Sequence, residues 1–391
     1  MDGRRSLSPL VSVVFALFTD AFLYEVVVPL APLSPAGINS TSEIASTYCA
    51  YALGVILFTP LCGIVSDRIG RKIPLLIGAI GQLVAMYTFA GATTFSALML
   101  ARIIQGGAAS ATWTAGLAVI AERYPDRRVE KMGLAMVGST IGGFTAPLAG
   151  GAFYEMGGYH APFWISGMIA FVDLVLRLVL LPSDRHRVAV PNAMPLLFRN
   201  RAVLAAALIA ALIACGWGVI EPDVPAFLVE KAGTSPTVIG LLFTLSGLVY
   251  WVASTPVDRL AERRGRRFAI SLGMTVMAVG MPLLVLFPNV ILVGIALCFV
   301  TVAYACAMNP VLSELADAVD RCAPGAYAAV YAIFNIAYAV GSMAGNAAAG
   351  PLTDRFSLLT VFLSIGVILL LCVPFLTRGL IVIPAPASQS R

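Results

Sequence analysis

A few ionisable side chains lie inside long apolar runs, and any chemistry in this chain must begin with them. Asp20 stands in Leu17-Phe18-Thr19-Asp20-Ala21-Phe22-Leu23-Tyr24, with no basic residue near it in sequence. A charge held in hydrocarbon costs several kcal/mol, so its presence needs a reason. A lone carboxyl there can take up and release a proton near neutral pH, or pair with a cationic substrate. The plainer alternative is a structural acid hydrogen-bonded to a neighbouring helix. Glu25 and Glu221 are each followed four residues later by a proline, Pro29 and Pro225. Proline frees a backbone carbonyl and bends a helix, so both glutamates are expected to line a polar outer mouth. Glu25 lies about 140° round the helix from Asp20, so the two are not expected to share a face. Trp217, one turn before Glu221, is placed to stack on a cation.

Arg102 also falls mid-run, and its guanidinium must find an acid or several carbonyls. Gln105, three residues on, shares its helix face and can join that network. Asp173 and Arg177 are spaced as a local i, i+4 salt bridge rather than as a site.

These groups need elements to hold them. The chain has 391 residues, 59% apolar and 12% charged. Soluble domains carry about 25% charged residues. Apolar runs of about 20 residues indicate a polytopic membrane protein. Twelve spans are expected, at 10–33, 44–65, 73–91, 96–120, 131–153, 162–181, 201–221, 235–256, 268–287, 289–312, 325–350 and 357–377. The first is read as a retained helix, not a cleaved signal. The organisation is an all-α membrane protein with two pseudo-symmetric six-helix bundles, residues 1–181 and 201–391, joined by a basic linker, 182–200. Nearly every Lys and Arg falls on one side; the other has Lys231 and Arg355. The basic side is cytoplasmic by the positive-inside rule, which places both termini and the linker there.

The two halves repeat. Gly63-Ile64-Val65-Ser66-Asp67-Arg68-Ile69-Gly70-Arg71-Lys72 is read as a short loop at the membrane surface, and Glu262-Arg263-Arg264-Gly265-Arg266-Arg267 repeats it 195 residues later. Glu25 and Pro29 recur as Glu221 and Pro225 at an offset of 196. Internal repeats of this kind build many transporters. Asp67 is expected to cap a helix end while Arg71 bridges to the other half, a charge network able to latch one conformation. Gly133, Gly142, Gly143, Pro147, Gly150 and Gly151 in the fifth span, and Gly341, Gly345 and Gly350 in the eleventh, are read as packing seams or hinges.

Other functions are disfavoured. The seven cysteines have no metal-ligand spacing and are read as small apolar side chains. His160 and His186 lie far apart, in expected loops. No phosphate-cradling Gly-rich loop is present, so neither an enzyme nor an ATP-driven pump is expected, and no cofactor or metal. The net charge of +5 sits in short loops and is no nucleic-acid signal. The sequon Asn39-Ser40-Thr41 hugs the membrane and is expected to be unmodified.

The motifs resemble those of a known family. Gly63 to Lys72 looks like the signature of the major facilitator superfamily between spans two and three. Arg102 with Gln105-Gly106 resembles its fourth-span motif. Gly133, Gly142, Pro147, Gly150 and Gly151 resemble the fifth-span motif of the twelve-span drug:proton antiporters, with Ala146 where glycine is usual. Within that group the chain is similar to the vesicular amine transporters: Asp20 with Val26-Val27-Val28-Pro29, Glu221-Pro222-Asp223-Val224-Pro225, and Tyr327 to Ile333 match their first, seventh and eleventh spans. The resemblance implies that Asp20 and Glu221 contact substrate or protons and that Arg102 supports the motion. Those transporters carry further acids where this chain has Ala305 and Asn335. Asn335 can hydrogen-bond a substrate but cannot relay a proton.

The expectation is therefore a secondary active transporter working by alternating access, exporting a drug-like, secondary-metabolite or amine molecule against protons. Its partners are that small molecule, protons and the bilayer of a plasma or vesicle membrane, and it is expected to act as a monomer. A facilitator or proton-coupled importer is the alternative within transport, and a non-transporting membrane sensor the alternative outside it.

Overall fold

The computed structural model describes residues 2–36, 38, 40–124, 127–181, 196, 197, 199–322 and 327–379. Their regular structure is helical. Six helices form the first half: α1 (Asp2–Glu25), α2 (Thr41–Ile69), α3 (Lys72–Gly91), α4 (Phe95–Arg123), α5 (Arg128–Gly157) and α6 (His160–Leu180). Six form the second: α7 (Arg201–Ala232), α8 (Pro236–Arg264), α9 (Arg266–Gly280, continued by a turn at Leu283–Leu286), α10 (Val290–Cys322), α11 (Tyr327–Arg355) and α12 (Leu358–Gly379). Ten are long and apolar enough to cross a membrane, and α12 adds a shorter apolar stretch, Leu358–Pro374.

Packing repeats between the halves. α1 lies along α5 as α7 lies along α11; α2 along α4 as α8 along α10; α3 along α4 and α6 as α9 along α10 and α12. The halves meet through two equivalent seams, α2 on α11 and α5 on α8.

Local sequence explains the helix ends. Ser40 and Glu43 form a reciprocal capping box on α2, and Asn200 Oδ1 accepts from the amides of Ala202 and Val203 at the start of α7. Gly70 and Gly265 end α2 and α8 with φ of 93° and 91°, a region that glycine enters at low cost.

Several expected boundaries are corrected. Gly63 to Ile69 is helical rather than loop, as is Ala261 to Arg264, because α2 and α8 run to Ile69 and Arg264. Each has 29 residues, about 43 Å of helix against a hydrocarbon core of about 30 Å, so the charged turns project beyond it. α1 stops at Glu25, short of residue 33, and is followed by turns. Pro29 has no N–H to give the Glu25 carbonyl, so it ends α1 where a bend was expected. α7, by contrast, runs through Pro222 and Pro225 to Ala232, well past the expected end at 221. His160 opens α6, where a loop was expected, with Nδ1 2.6 Å from the Ala90 carbonyl. Most of the expected linker, together with Asn39 and His186, lies outside the described residues.

The glycine seams hold at most of the expected positions but not at Gly133, where an added Cβ would meet nothing within 4 Å. Gly142 and Gly150 of α5 lie against the carbonyls of Phe18 in α1 and of Val26 just past its end, where a Cβ would come within 2.2 and 2.6 Å. Gly341 and Gly345 of α11 lie equally close to the Ala211 and Cys215 carbonyls of α7. Gly151 and Pro147 of α5 face Pro236 and Gly240 of α8 across the halves. Three cross-half hydrogen bonds lie toward this end: Leu148 N–H donates to Thr244 (3.3 Å), Thr237 N–H to Glu155 (3.3 Å) and Cys49 Sγ to the Met343 carbonyl (3.6 Å). We call it the closed end; the turns at Gly70 and Gly265 mark the opposite one.

Candidate functional site

A cavity of about 440 Å³ lies between the halves and takes lining residues from both. Asp20, Glu25, Glu221, Trp217 and Asn335, all singled out in the sequence, line it together. Glu25 was not expected to share a face with Asp20. Both nevertheless border the cavity, which is wide enough to touch more than one face of α1 and which Glu25 meets at the helix's last residue.

Two carboxylates are held in similar ways. Asp20 is buried; it accepts a short hydrogen bond from Gln82 Nε2 of α3 and one of 2.7 Å from Trp113 Nε1 of α4. Glu221 is buried; it accepts from Trp217 Nε1 at 2.7 Å and from the Tyr24 hydroxyl at 2.6 Å. In each, an indole N–H fixes one carboxylate oxygen. Trp217 thus has a use beyond the one expected: its N–H orients Glu221 while its ring packs 4.9 Å from Tyr304. Tyr51, Tyr250, Tyr304, Tyr331, Phe334 and Tyr338 complete a largely aromatic wall.

Arg102 sits behind this wall, fully buried. Its Nη1 donates to Gln105 Oε1 at 3.0 Å, and Gln105 Nε2 donates to the Leu23 carbonyl at 2.8 Å. The expected network with Gln105 is present. The expected acid or set of carbonyls is not: among the described residues no carboxylate lies within ion-pair distance. Rings take that place, with the guanidinium carbon 4.8 Å from the Tyr48 centroid, 5.5 Å from Tyr24 and Phe89, and 6.0 Å from Tyr51.

The charged turns behave differently from expectation. Arg71 does not reach the other half, and Asp67 caps no helix. Arg71 Nη1 meets Asp67 at 2.5 Å and Ser66 at 2.9 Å, while its Nε and Nη2 both donate to Glu122 Oε1, at 2.9 and 2.7 Å. All lie in the first half, because Arg71 is at the α2–α3 turn, beside the end of α4. Burial opposes the charge on Arg71, but the Glu122 and Asp67 carboxylates outweigh it and push the guanidinium pKa above its ordinary value. In the second half Arg266 meets Glu314 at 2.8 Å and Asp317 at 2.6 Å. Arg71 with Glu122 and Arg266 with Asp317 are the same pair, 195 residues apart. Lys72 Nζ donates to the carbonyls of Leu178, in the last turn of α6, and of Leu181, which caps it, and Arg68, Glu262 and Arg263 are exposed. Asp173 and Arg177 form the expected pair at 2.5 Å, fully buried, and Arg177 also donates to the Leu75 carbonyl and Thr112.

Geometry and repeat together fit one family, and comparison decides it. Matches to the Major Facilitator Superfamily cover residues 13–213 and 206–391. The chain belongs to this superfamily. Among its relatives, the "Probable vesicular acetylcholine transporter-B" of Danio rerio is 29% identical over 95% of this chain and 79% of its own length. The "Synaptic vesicular amine transporter" of Bos taurus is 26% identical over 86% of this chain, but just 66% of its own length is spanned. Solved structures give the same fold. The human organic anion transporter MFSD10 (TETRAN) superposes with a TM-score of 0.72 at 17% identity, covering 95% of this chain and 99% of its own. A bacterial homologue of the human lysosomal transporter Spinster, inward-facing and occupied, gives 0.76 at 15%, covering 95% and 96%. As a superfamily member the protein is a membrane transporter, not an enzyme.

Sequence reasoning missed the partners that hold the acids: Gln82, Trp113 and Tyr24. A signal existed for Gln82, the one amide in the apolar run 73–91. It missed the cage of Tyr48, Tyr51 and Phe89 as well, because aromatic residues are ordinary in apolar spans.

Proposed function

We propose that this protein is a proton-coupled antiporter that moves a hydrophobic or aromatic organic cation, of amine or drug-like type, out of the cytoplasm or into a vesicle. One observation carries the reading: two indole-held carboxylates, Asp20 and Glu221, stand in one aromatic cavity with Glu25. Aromatic faces attract an ammonium group and supply apolar area for its substituents. A carboxylate that holds the cation cannot also hold a proton, so cation and proton exclude each other at the same oxygens. That exclusion is what antiport requires. Asn335, on the same wall, can hydrogen-bond the substrate without titrating. The vesicular amine and acetylcholine relatives support an amine.

The halves, 1–181 and 201–391, would rock about the cavity with 182–200 as the cytoplasmic linker. The basic turns at Gly70 and Gly265 put that end in the cytoplasm by the positive-inside rule. The cavity is then sealed outward and approached from the cytoplasm. The paired clusters at Arg71 and Arg266 would brace each half as it moves.

The test is uptake into proteoliposomes with an acidic lumen, using a panel of lipophilic cations and neutral drugs. Accumulation of cations, collapsed by an uncoupler and lost in Asp20→Asn, is the expected result. Uptake indifferent to the pH gradient would make the protein a facilitator and Asp20 a structural acid.

A further inference from the structure

One buried acid has no place in the cavity. Asp223 lies in α7 two residues beyond Glu221 and is fully buried. Neither of its carboxylate oxygens has a hydrogen-bond partner among the described residues.

Helix register locates it. α7 and α11 run side by side, with Gly341 against the Ala211 carbonyl and Gly345 against that of Cys215. Both contacts have an offset of 130. Further along, Gly218 lies against Ser342 and Asn346, and Val219 and Ala349 are both fully buried; Asp223 is one turn beyond Val219 on α7, and Thr353 one turn beyond Ala349 on α11. The Thr353 hydroxyl is likewise buried without a partner. Asp223 and Thr353 therefore both lie toward the closed end of the α7–α11 pair.

The other half covers this place. Ala226, one turn past Asp223, packs against the apolar cluster that contains Leu30 and Ala31, and Gly350, three residues before Thr353, lies against Ser42 and Ala45 of α2. The segment Ala31–Leu33 and the first turns of α2 thus roof the pair while the end is closed, and must withdraw when it opens.

The charges nearby offer no counter-ion. Glu221 is engaged by Tyr24 and Trp217, Glu43 closes the cap of α2, and Glu230 pairs with Lys231 in the exposed last turn of α7. Arg355 is exposed at the end of α11. Asp354 is the charged group that acts on Asp223, and its sign is the same. An ionised carboxyl buried with no donor and no cation is strongly disfavoured relative to its neutral form. A neutral carboxyl in the same place carries no charge to be compensated.

We propose that Asp223 is a second proton-binding site, outside the substrate cavity, which holds a proton while the outer end is closed and releases it when that end opens. Binding is simple association of a proton with the carboxylate. Proton activity outside then biases the closed state, by up to about tenfold in the closed-to-open ratio per pH unit for one proton. The inference rests on alternation between two states, and its test needs no substrate, so a wrong reading of the cargo would leave it standing.

The experiment measures spin-label distances across the closed end, between Met156→Cys on α5 and Ile291→Cys on α10, in the full chain with native cysteines replaced. Both positions are exposed. The background carries Asp20→Asn, Glu25→Gln and Glu221→Gln, so the cavity acids cannot titrate. The short-distance population should still rise as pH falls. Adding Asp223→Asn should hold the end closed at every pH. Adding Asp354→Asn instead, an exposed change that leaves Asp223 in place, should move the midpoint to lower pH. An unaltered pH dependence in Asp223→Asn, an unmoved midpoint in Asp354→Asn, or no pH dependence in the background would each overturn the proposal.

Discussion

The two halves repeat in sequence and packing, yet they hold their acids differently. Asp20 of the first half takes both hydrogen bonds from its own half, Gln82 and Trp113. Glu221 of the second takes one from its own Trp217 and one across the cavity from Tyr24. Asp20 can therefore change its proton or its cargo without touching the contact between halves. Glu221 cannot, because its second donor belongs to the other half. The helices differ in the same sense: α1 ends at Glu25 before Pro29, while α7 carries Pro222 and Pro225 inside a continuous helix. The repeat builds the frame, and its breakdown leaves one acid held within a half and the other held between the halves.

The strongest test of that division is Tyr24→Phe. It removes the cross-half donor and leaves the ring. A hydrogen bond to a charged group is worth about 1.5–3 kcal/mol, so the closed-to-open ratio should fall by roughly 10–100-fold. Trp113→Phe removes a donor of the same strength from Asp20 and should leave that ratio unchanged while altering the pH dependence of uptake. Distances between labels across the closed end would report the first effect, and uptake against pH the second. Equal shifts in both variants would mean that the two acids share one role.

The charged clusters at the open end invite a second comparison. Arg71 and Glu122 have side chains 15% and 9% exposed; Arg266 and Asp317 are 36% and 45% exposed. Removing one partner of a sheltered pair strands the other, whereas water screens an exposed pair. Arg71→Ala should cost about 2–3 kcal/mol of stability and Arg266→Ala about 1 kcal/mol or less. Arg71→Lys should not rescue fully, since one ammonium cannot reproduce the Nε and Nη2 pair on Glu122. Unfolding in denaturant with purified protein would measure all three. A larger loss from Arg266→Ala would reverse the ranking by burial.

Much of this was legible in the sequence, because the membrane imposes strong rules. Apolar length located the helices, the repeat at 195 matched Gly70 to Gly265, and the cost of a buried charge singled out Asp20, Arg102 and Glu221. What sequence could not supply was helix rotation. Without it, Glu25 and Asp20 are placed on different faces of α1, although both border one cavity. Arg102 is assigned an acid or several carbonyls, whereas it sits among four rings, because aromatic residues carry no mark of partnership in a span rich in them. Arg71 was sent to the other half because the direction of a long side chain at a turn depends on what α4 places beside it. Asp223 was read as part of a motif, and its isolation depends on a register between α7 and α11 that one chain's sequence does not contain.

The smallest expected effect concerns the residues the repeat made to look most alike. Asp67 and Glu262 occupy matched positions, but Asp67 meets Arg71 at 2.5 Å while Glu262 is exposed and Arg266 has turned to Glu314 and Asp317. Asp67 is itself 53% exposed, so screening limits what its pair contributes. Asp67→Asn should cost about 0.5 kcal/mol, and less in high salt. Glu262→Gln should shift nothing measurable, since exposed residues away from specific contacts are near neutral. Denaturant midpoints at low and high ionic strength would separate the two. A salt-sensitive loss in Glu262→Gln would mean that the second half has an ion pair in another conformation, and that its asymmetry belongs to this state of the cycle alone.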